Sequence, residues 1–163
     1  MSKLRAITPV TDLGWFDHTD IRIETTIHIA APPKQVFDCL AEHHRWSEWF
    51  TPIKEVTRIG PHSGVGARRT VRVPPLVLEE LFIAWDEPYR FAFTMTAVNI
   101  PVVTEMAEDW QLQATPGGTN VTYIVAANLP TWLKPFTGVI RLAMRRTTSS
   151  GPAQLKRHVE SDA

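Results

Sequence analysis

The sequence predicts an α+β domain: an antiparallel sheet of about seven strands, two short helices after the first strand, and a long C-terminal helix. Three observations carry this. Polar and apolar residues alternate over residues 22–29, the period of two of a half-buried strand. Six further strand-like runs then follow between residues 54 and 129, separated by turns rich in Gly, Pro and Asn, as in an antiparallel meander. Beyond Thr131 the apolar residues step by three or four, the period of an amphipathic helix.

Residues 1–20 read as an N-terminal arm, tied by Trp15 and Phe16 to a single domain over residues 21–160. In the first strand Ile23, Thr25, Ile27 and Ile29 share a face. Ala30-Ala31-Pro32-Pro33 stops it, and Pro33 suits a first helical turn, where its missing N–H costs little. Val36, Phe37 and Leu40 then form an apolar stripe. A second short helix carries Trp46, Trp49 and Phe50 and ends near Pro52. Strands are predicted over residues 54–59, 65–73, 76–85, 89–98, 104–114 and 119–129. The last two are joined by Thr115-Pro116-Gly117-Gly118, a strong turn signal. The final helix runs from Thr131 to about Glu160, with Phe136, Ile140, Met144, Thr147, Gly151, Leu155 and Val159 in register. Gly151-Pro152 should weaken or kink it.

A chain of 163 residues, 44% hydrophobic and 21% charged, suits one ordinary globular core. Its net charge is zero, so the basic excess that neutralises phosphates is missing and no nucleic-acid partner is expected. Arg141, Arg145, Arg146, Lys156 and Arg157 read as a solvated helix face. Cys39 is the one cysteine, and no run looks like a signal peptide or approaches the ~20 apolar residues of a membrane span. A cytoplasmic monomer or homodimer is therefore expected. His43 and His44 are adjacent, so their side chains diverge, and both read as solvated rather than as metal ligands. Cys39 reads as packed, Ser149-Ser150-Gly151 is no nucleophile elbow, and Gly64-Val65-Gly66 is no phosphate cradle. No metal and no cofactor is expected.

Several short motifs recur in a specific order. They are Ile27-His28-Ile29-Ala30-Ala31-Pro32 with Val36-Phe37 and Leu40, then Trp46 and Trp49, then Gly66. Asp86-Glu87-Pro88-Tyr89-Arg90-Phe91 follows, and Trp110-Gln111-Leu112 precedes Gly117-Gly118-Thr119-Asn120-Val121-Thr122-Tyr123. Over about residues 21–160 the chain resembles the START-like superfamily, in its polyketide cyclase/dehydrase and lipid transport group. The resemblance implies the helix-grip fold, a curved sheet wrapped around the long helix. It also implies a deep apolar cavity between them, for a lipid, sterol, polyketide or similar molecule. Binding or carriage of a hydrophobic small molecule is the function this implies first. A cyclase or dehydrase using the same cavity is the alternative, and a regulatory, toxin-like partner-binding protein is a third.

Strand parity selects the candidate wall of such a cavity. Val121, Tyr123 and Val125 come from the last strand, and Met106, Glu108, Trp110 and Leu112 from the one before it. Phe91, Phe93 and Met95 share a face, as do Leu81, Ile83 and Trp85, opposite Glu80, Phe82 and Ala84. Arg69 falls with Val71 and Val73, and the C-terminal helix offers Phe136, Ile140 and Met144. Trp46, Trp49 and Phe50 either cap the mouth or lock the short helix against the sheet. The apolar loop 99–103 is a lid or a packed connection. Glu108 and Arg69 stand out, because charged side chains are seldom buried unpaired. They hold a ligand's polar end or pair with each other, unless a one-residue bulge turns one outwards. Glu79 shares that doubt. Were the protein an enzyme, proximity in the cavity would do most of the work, with Glu108, Arg69 or Tyr123 as acid or base.

Overall fold

Seven strands follow one another antiparallel across one curved sheet in the computed structural model of the chain, which describes residues 3–161. β1 (Arg5–Ala6) belongs to the arm, and β2 (Ile21–Ile29) leads to α1 (Pro33–Ala41) and α2 (Trp46–Trp49). The meander comprises β3 (Glu55–Ile59), β4 (Arg68–Val73), β5 (Leu76–Asp86), β6 (Arg90–Val98), β7 (Glu105–Thr115) and β8 (Gly118–Asn128). A 3-10 turn (Thr131–Phe136), α3 (Thr137–Thr148) and α4 (Gly151–Ser161) close the chain. Spatial order is β2-β8-β7-β6-β5-β4-β3, so the first long strand completes the sheet beside the last. β4 starts at Arg68 rather than Val65, because Gly64 and Gly66 take positive φ of 85° and 89° and turn the chain first.

The arm is a working part of the sheet. β6 pairs with β7 only over Arg90–Thr94, and β1 then pairs with Ala97 and Val98 in its place. Ile7 and Thr8 continue this seam, donating to the carbonyls of Thr96 and Thr104. Val10 donates to the Thr94 hydroxyl and is buried with Phe16 against Ala107, Ile124 and Ala126 on the convex face.

The concave face carries the main core. α1 buries Val36, Phe37 and Leu40 there, and α4 buries Leu155 and Val159. The C-terminal helix is broken where the sequence warns of a kink, at Ser149 and Ser150. Gly151 sits there because the backbone comes close to two rings; a Cβ would lie 3.4 Å from Phe50 and 3.6 Å from Trp110. α3, by contrast, buries Thr148 alone.

Several side chains lie elsewhere than the sequence pattern predicts. Ile83 is an extra residue between the pairs Phe82↔Phe93 and Ala84↔Ala92, and such a bulge resets alternation. Leu78, Glu80 and Phe82 therefore face the core together with Trp85. Ile83 packs with the arm on the convex side, and Leu81 alternates with Glu80 and Phe82 onto that side as well. Glu79 turns outwards to Arg68, at 3.0 Å. Phe136 is 56% exposed, because it ends a 3-10 turn whose period differs from that of the α-helix beyond it. His43 is buried rather than solvated. Its ring lies tilted against Phe82, 4.9 Å between centroids, whereas His44 stays outside and meets Arg58.

Candidate functional site

α3 crosses the concave face without filling it. Beneath it lies a cavity of about 380 Å³, within the usual range of small-molecule sites. Its side walls are Val71 and Val73 of β4, Leu76 and Leu78 of β5, and Ile140, Ala143 and Met144 of α3. Phe50, Pro52 and Ile53 come from the segment after α2, and Val102 from the loop between β6 and β7. Val139 both lines the space and is 70% exposed, so the mouth lies along that edge of α3. Asn99 fixes the loop, accepting from the Val77 N–H and donating to the Pro75 carbonyl.

The inner end is polar. Arg69, Glu80, Glu108 and Tyr123 reach it from four strands. Register brings them together: Arg69 is opposite Glu80 across β4 and β5, and Phe93 is opposite Glu108 across β6 and β7. Arg69 Nε donates to Glu80 Oε2 at 2.5 Å, and a terminal nitrogen donates to the His43 carbonyl at 3.4 Å. The guanidinium lies over Trp46 and Phe93, 4.2 and 4.6 Å from their centroids, a geometry in which the ring faces offset part of its desolvation. Tyr123 donates its hydroxyl to Glu108 Oε2 at 2.6 Å, and its ring stacks on Trp110 at 3.9 Å.

Two buried carboxyls thus lie near one guanidinium, which bonds Glu80. Burial first, and the neighbouring Glu80 second, push Glu108 up to about 8. Burial pushes Glu80 up too, against the pull of Arg69. Glu108, whose partner is a neutral phenol, therefore holds its proton at neutral pH. Glu80 lies against Arg69. His43 is pushed down to about 3 by burial, then by Arg69, so its buried ring is neutral. The result is a salt bridge and a carboxylic acid at the end of an apolar chamber. A carboxylic acid in that position can donate a hydrogen bond to a ligand, or a proton.

Of the residues that sequence parity proposes, Trp46, Phe50, Arg69, Val71, Phe93, Met106, Glu108, Tyr123, Ile140 and Met144 line this space. Trp49, Phe91, Met95, Trp110 and Val125 are buried in the surrounding core and do not reach it. Trp46 and Trp49 brace α2 against the sheet: Trp46 donates to the Leu40 carbonyl at 3.0 Å, and both rings pack on Trp110. Leu81, Ile83 and Phe136 lie elsewhere, for the reasons given above. Glu80 was missed, and the only signal for it is charge. An Arg and a Glu on neighbouring strands invite pairing, but a bulge that alternation cannot reveal decides which Glu it is. No group of three His, Cys, Asp or Glu among the described residues is placed to hold a metal ion. No helix among them is long and apolar enough to cross a membrane.

Comparisons with known proteins agree with this architecture. The family model described as polyketide cyclase / dehydrase and lipid transport matches residues 20–160. An uncharacterized protein of Mycobacterium tuberculosis, Rv2574, is 35% identical over 127 residues, covering 74% of this chain and 76% of its own. Among solved structures, TTHA0849 from Thermus thermophilus superposes with a TM-score of 0.74 at 15% identity, over 87% of this chain and 99% of its own. The Zhui aromatase/cyclase from Streptomyces sp. R1128 gives 0.69 at 18%, over 85% and 93%. A START superfamily protein from Mycobacterium smegmatis gives 0.70 at 12%, over 87% and 99%.

Proposed function

From the premise that the chain belongs to the polyketide cyclase/dehydrase and lipid transport family, we propose that it binds and carries a hydrophobic small molecule in the chamber beneath α3. The observation that carries this reading is the chamber itself: about 380 Å³ with aliphatic walls and a single polar end. Each CH₂ of a ligand moved there from water contributes roughly 0.8 kcal/mol. Met106 and Met144 add unbranched, adaptable surface. Phe50, Trp46, Phe93 and Tyr123 offer rings beside the polar end.

Titration with the uncharged fluorescent probe N-phenyl-1-naphthylamine tests it. Saturable one-site binding is expected. Ala143→Trp should weaken it about tenfold or more, because the indole would occupy the space the probe needs. Ala143 lines the chamber from an exposed helix, so the change spares the core. Non-saturable binding, or binding indifferent to that substitution, counts against the reading.

The acid at Glu108 favours a second reading, turnover of a polyketide-like substrate in the same place. Its prediction differs: Glu108→Gln, which keeps shape but removes the transferable proton, would abolish product formation while the substrate still saturates the site.

A further inference from the structure

We infer that the chamber selects apolar ligands whose buried end is an uncharged oxygen, such as an alcohol, ketone or ester, and rejects carboxylates; this rests on the binding reading above. The argument is a census of charge at the inner end. Arg69 is the single cation among the lining residues, and it is already paired with Glu80. Its Nε is on Glu80 and a terminal nitrogen on the His43 carbonyl, and its face is covered by Trp46 and Phe93. The lysine and arginines of the C-terminal helices do not line the space. His43, from the segment before α2, brings a neutral ring. Glu80 from β5 and Glu108 from β7 supply the only acids, and Tyr123 from β8 has turned its hydroxyl onto Glu108.

An incoming carboxylate would therefore lose its hydration and meet no unpaired cation. It would lie beside Glu80 and the carboxyl of Glu108, and burial of a charge without a partner is strongly unfavourable. An ammonium end would have to displace Arg69 from Glu80 or strip Glu108 of its proton, and then stand next to the guanidinium. An uncharged oxygen meets neither obstacle. Glu108 is 8% exposed, and among the described residues the one hydrogen bond of its carboxyl is that accepted from Tyr123. Its carboxyl O–H is left to donate to that oxygen.

Three probes of equal chain length separate the cases: 1-decanol, decanoate and decylamine, titrated calorimetrically at pH 7 against the full chain. Decanol is expected to bind more tightly than decanoate by about tenfold or more, the loss typical of a charged group left without its partner. The gap should shrink as the solution is acidified and decanoate becomes decanoic acid. Glu108→Leu, which removes the donor, should weaken decanol more than decanoate and so narrow the preference, and Glu108→Gln, whose amide still donates, should keep more of it. The comparison in the unmodified protein stands even if Glu108→Leu fails to fold. Decanoate or decylamine binding as tightly as decanol overturns the selectivity and leaves the chamber reading intact. No binding of any of the three overturns both.

Discussion

Glu108 and His43 pull stability in opposite directions with pH. Glu108, raised from 4.5 to about 8, holds a proton in the folded state that the unfolded chain has already released. Its contribution is complete below pH 4.5 and is lost as pH rises towards 8. Glu80, raised in the same direction, adds to that loss. His43, lowered from 6.5 to about 3, refuses a proton that the unfolded chain takes up. Its contribution is complete above pH 6.5 and is lost as pH falls towards 3. Asp20, Glu48 and Glu160, each lowered by hydrogen bonds, deepen the acid loss. Between pH 4.5 and 6.5 the Glu108 and His43 contributions offset each other and Glu80 tilts the balance downwards as pH rises; the melting temperature should therefore fall below pH 4.5 and fall again above 6.5. Glu108→Gln should flatten the fall above pH 6.5 and leave the acid side alone. Circular dichroism melts from about pH 3 to 9 read this directly, and a midpoint still rising from 6.5 to 8 would contradict it. Arg69 and Glu108 were legible in the sequence because a charge at an apolar parity is conspicuous. His43 was not legible: beside His44 it reads as surface, and only the tertiary position of Phe82 and Arg69 buries it.

Elements were legible where turn chemistry marks them. Pro116-Gly117 sits at the centre of the β7–β8 hairpin, closed by Thr115 opposite Gly118, and Gly117 has φ of 83°. Proline followed by a glycine at positive φ suits a type II turn. Gly118 answers a different need. A Cβ there would lie 2.1 Å from the Ile29 carbonyl oxygen, where β2 hands over to α1. Gly118→Ala should therefore cost roughly 1–3 kcal/mol of unfolding free energy by urea titration. An unchanged midpoint would mean that the β2–α1 corner yields easily. Alternation located β5 correctly but not its two faces, because the extra residue at Ile83 leaves no mark on the pattern of apolar residues. The helix period likewise located the C-terminal run and its weak point. It misplaced Phe136, because a 3-10 turn carries the same residue types as the α-helix it enters.

Across the whole molecule, stability is distributed unevenly. The sheet, α1 and α4 enclose one continuous core, whereas α3 rests over space, with Val139 and Leu142 at 70% and 50% exposure. Amide hydrogen exchange should be faster in α3 than in α4, since few buried contacts oppose local opening. Saturation with 1-decanol should slow α3 selectively; equal protection of both helices without ligand would show that α3 is held by more than its packing suggests. Order and spacing of elements along 163 residues sufficed to read this architecture, but chamber volume was beyond reach, because it depends on how far α3 stands from the sheet. The C-terminal helical run has one more consequence. Residues 131–161, which end with α4, hold six of the seventeen lysines and arginines and one acid, Glu160. The other eleven are left facing sixteen acids elsewhere, an excess of five negative charges. A chain neutral in total is therefore an electric dipole. Any charged surface it approaches exerts a torque on it, turning one chosen side forward well before contact.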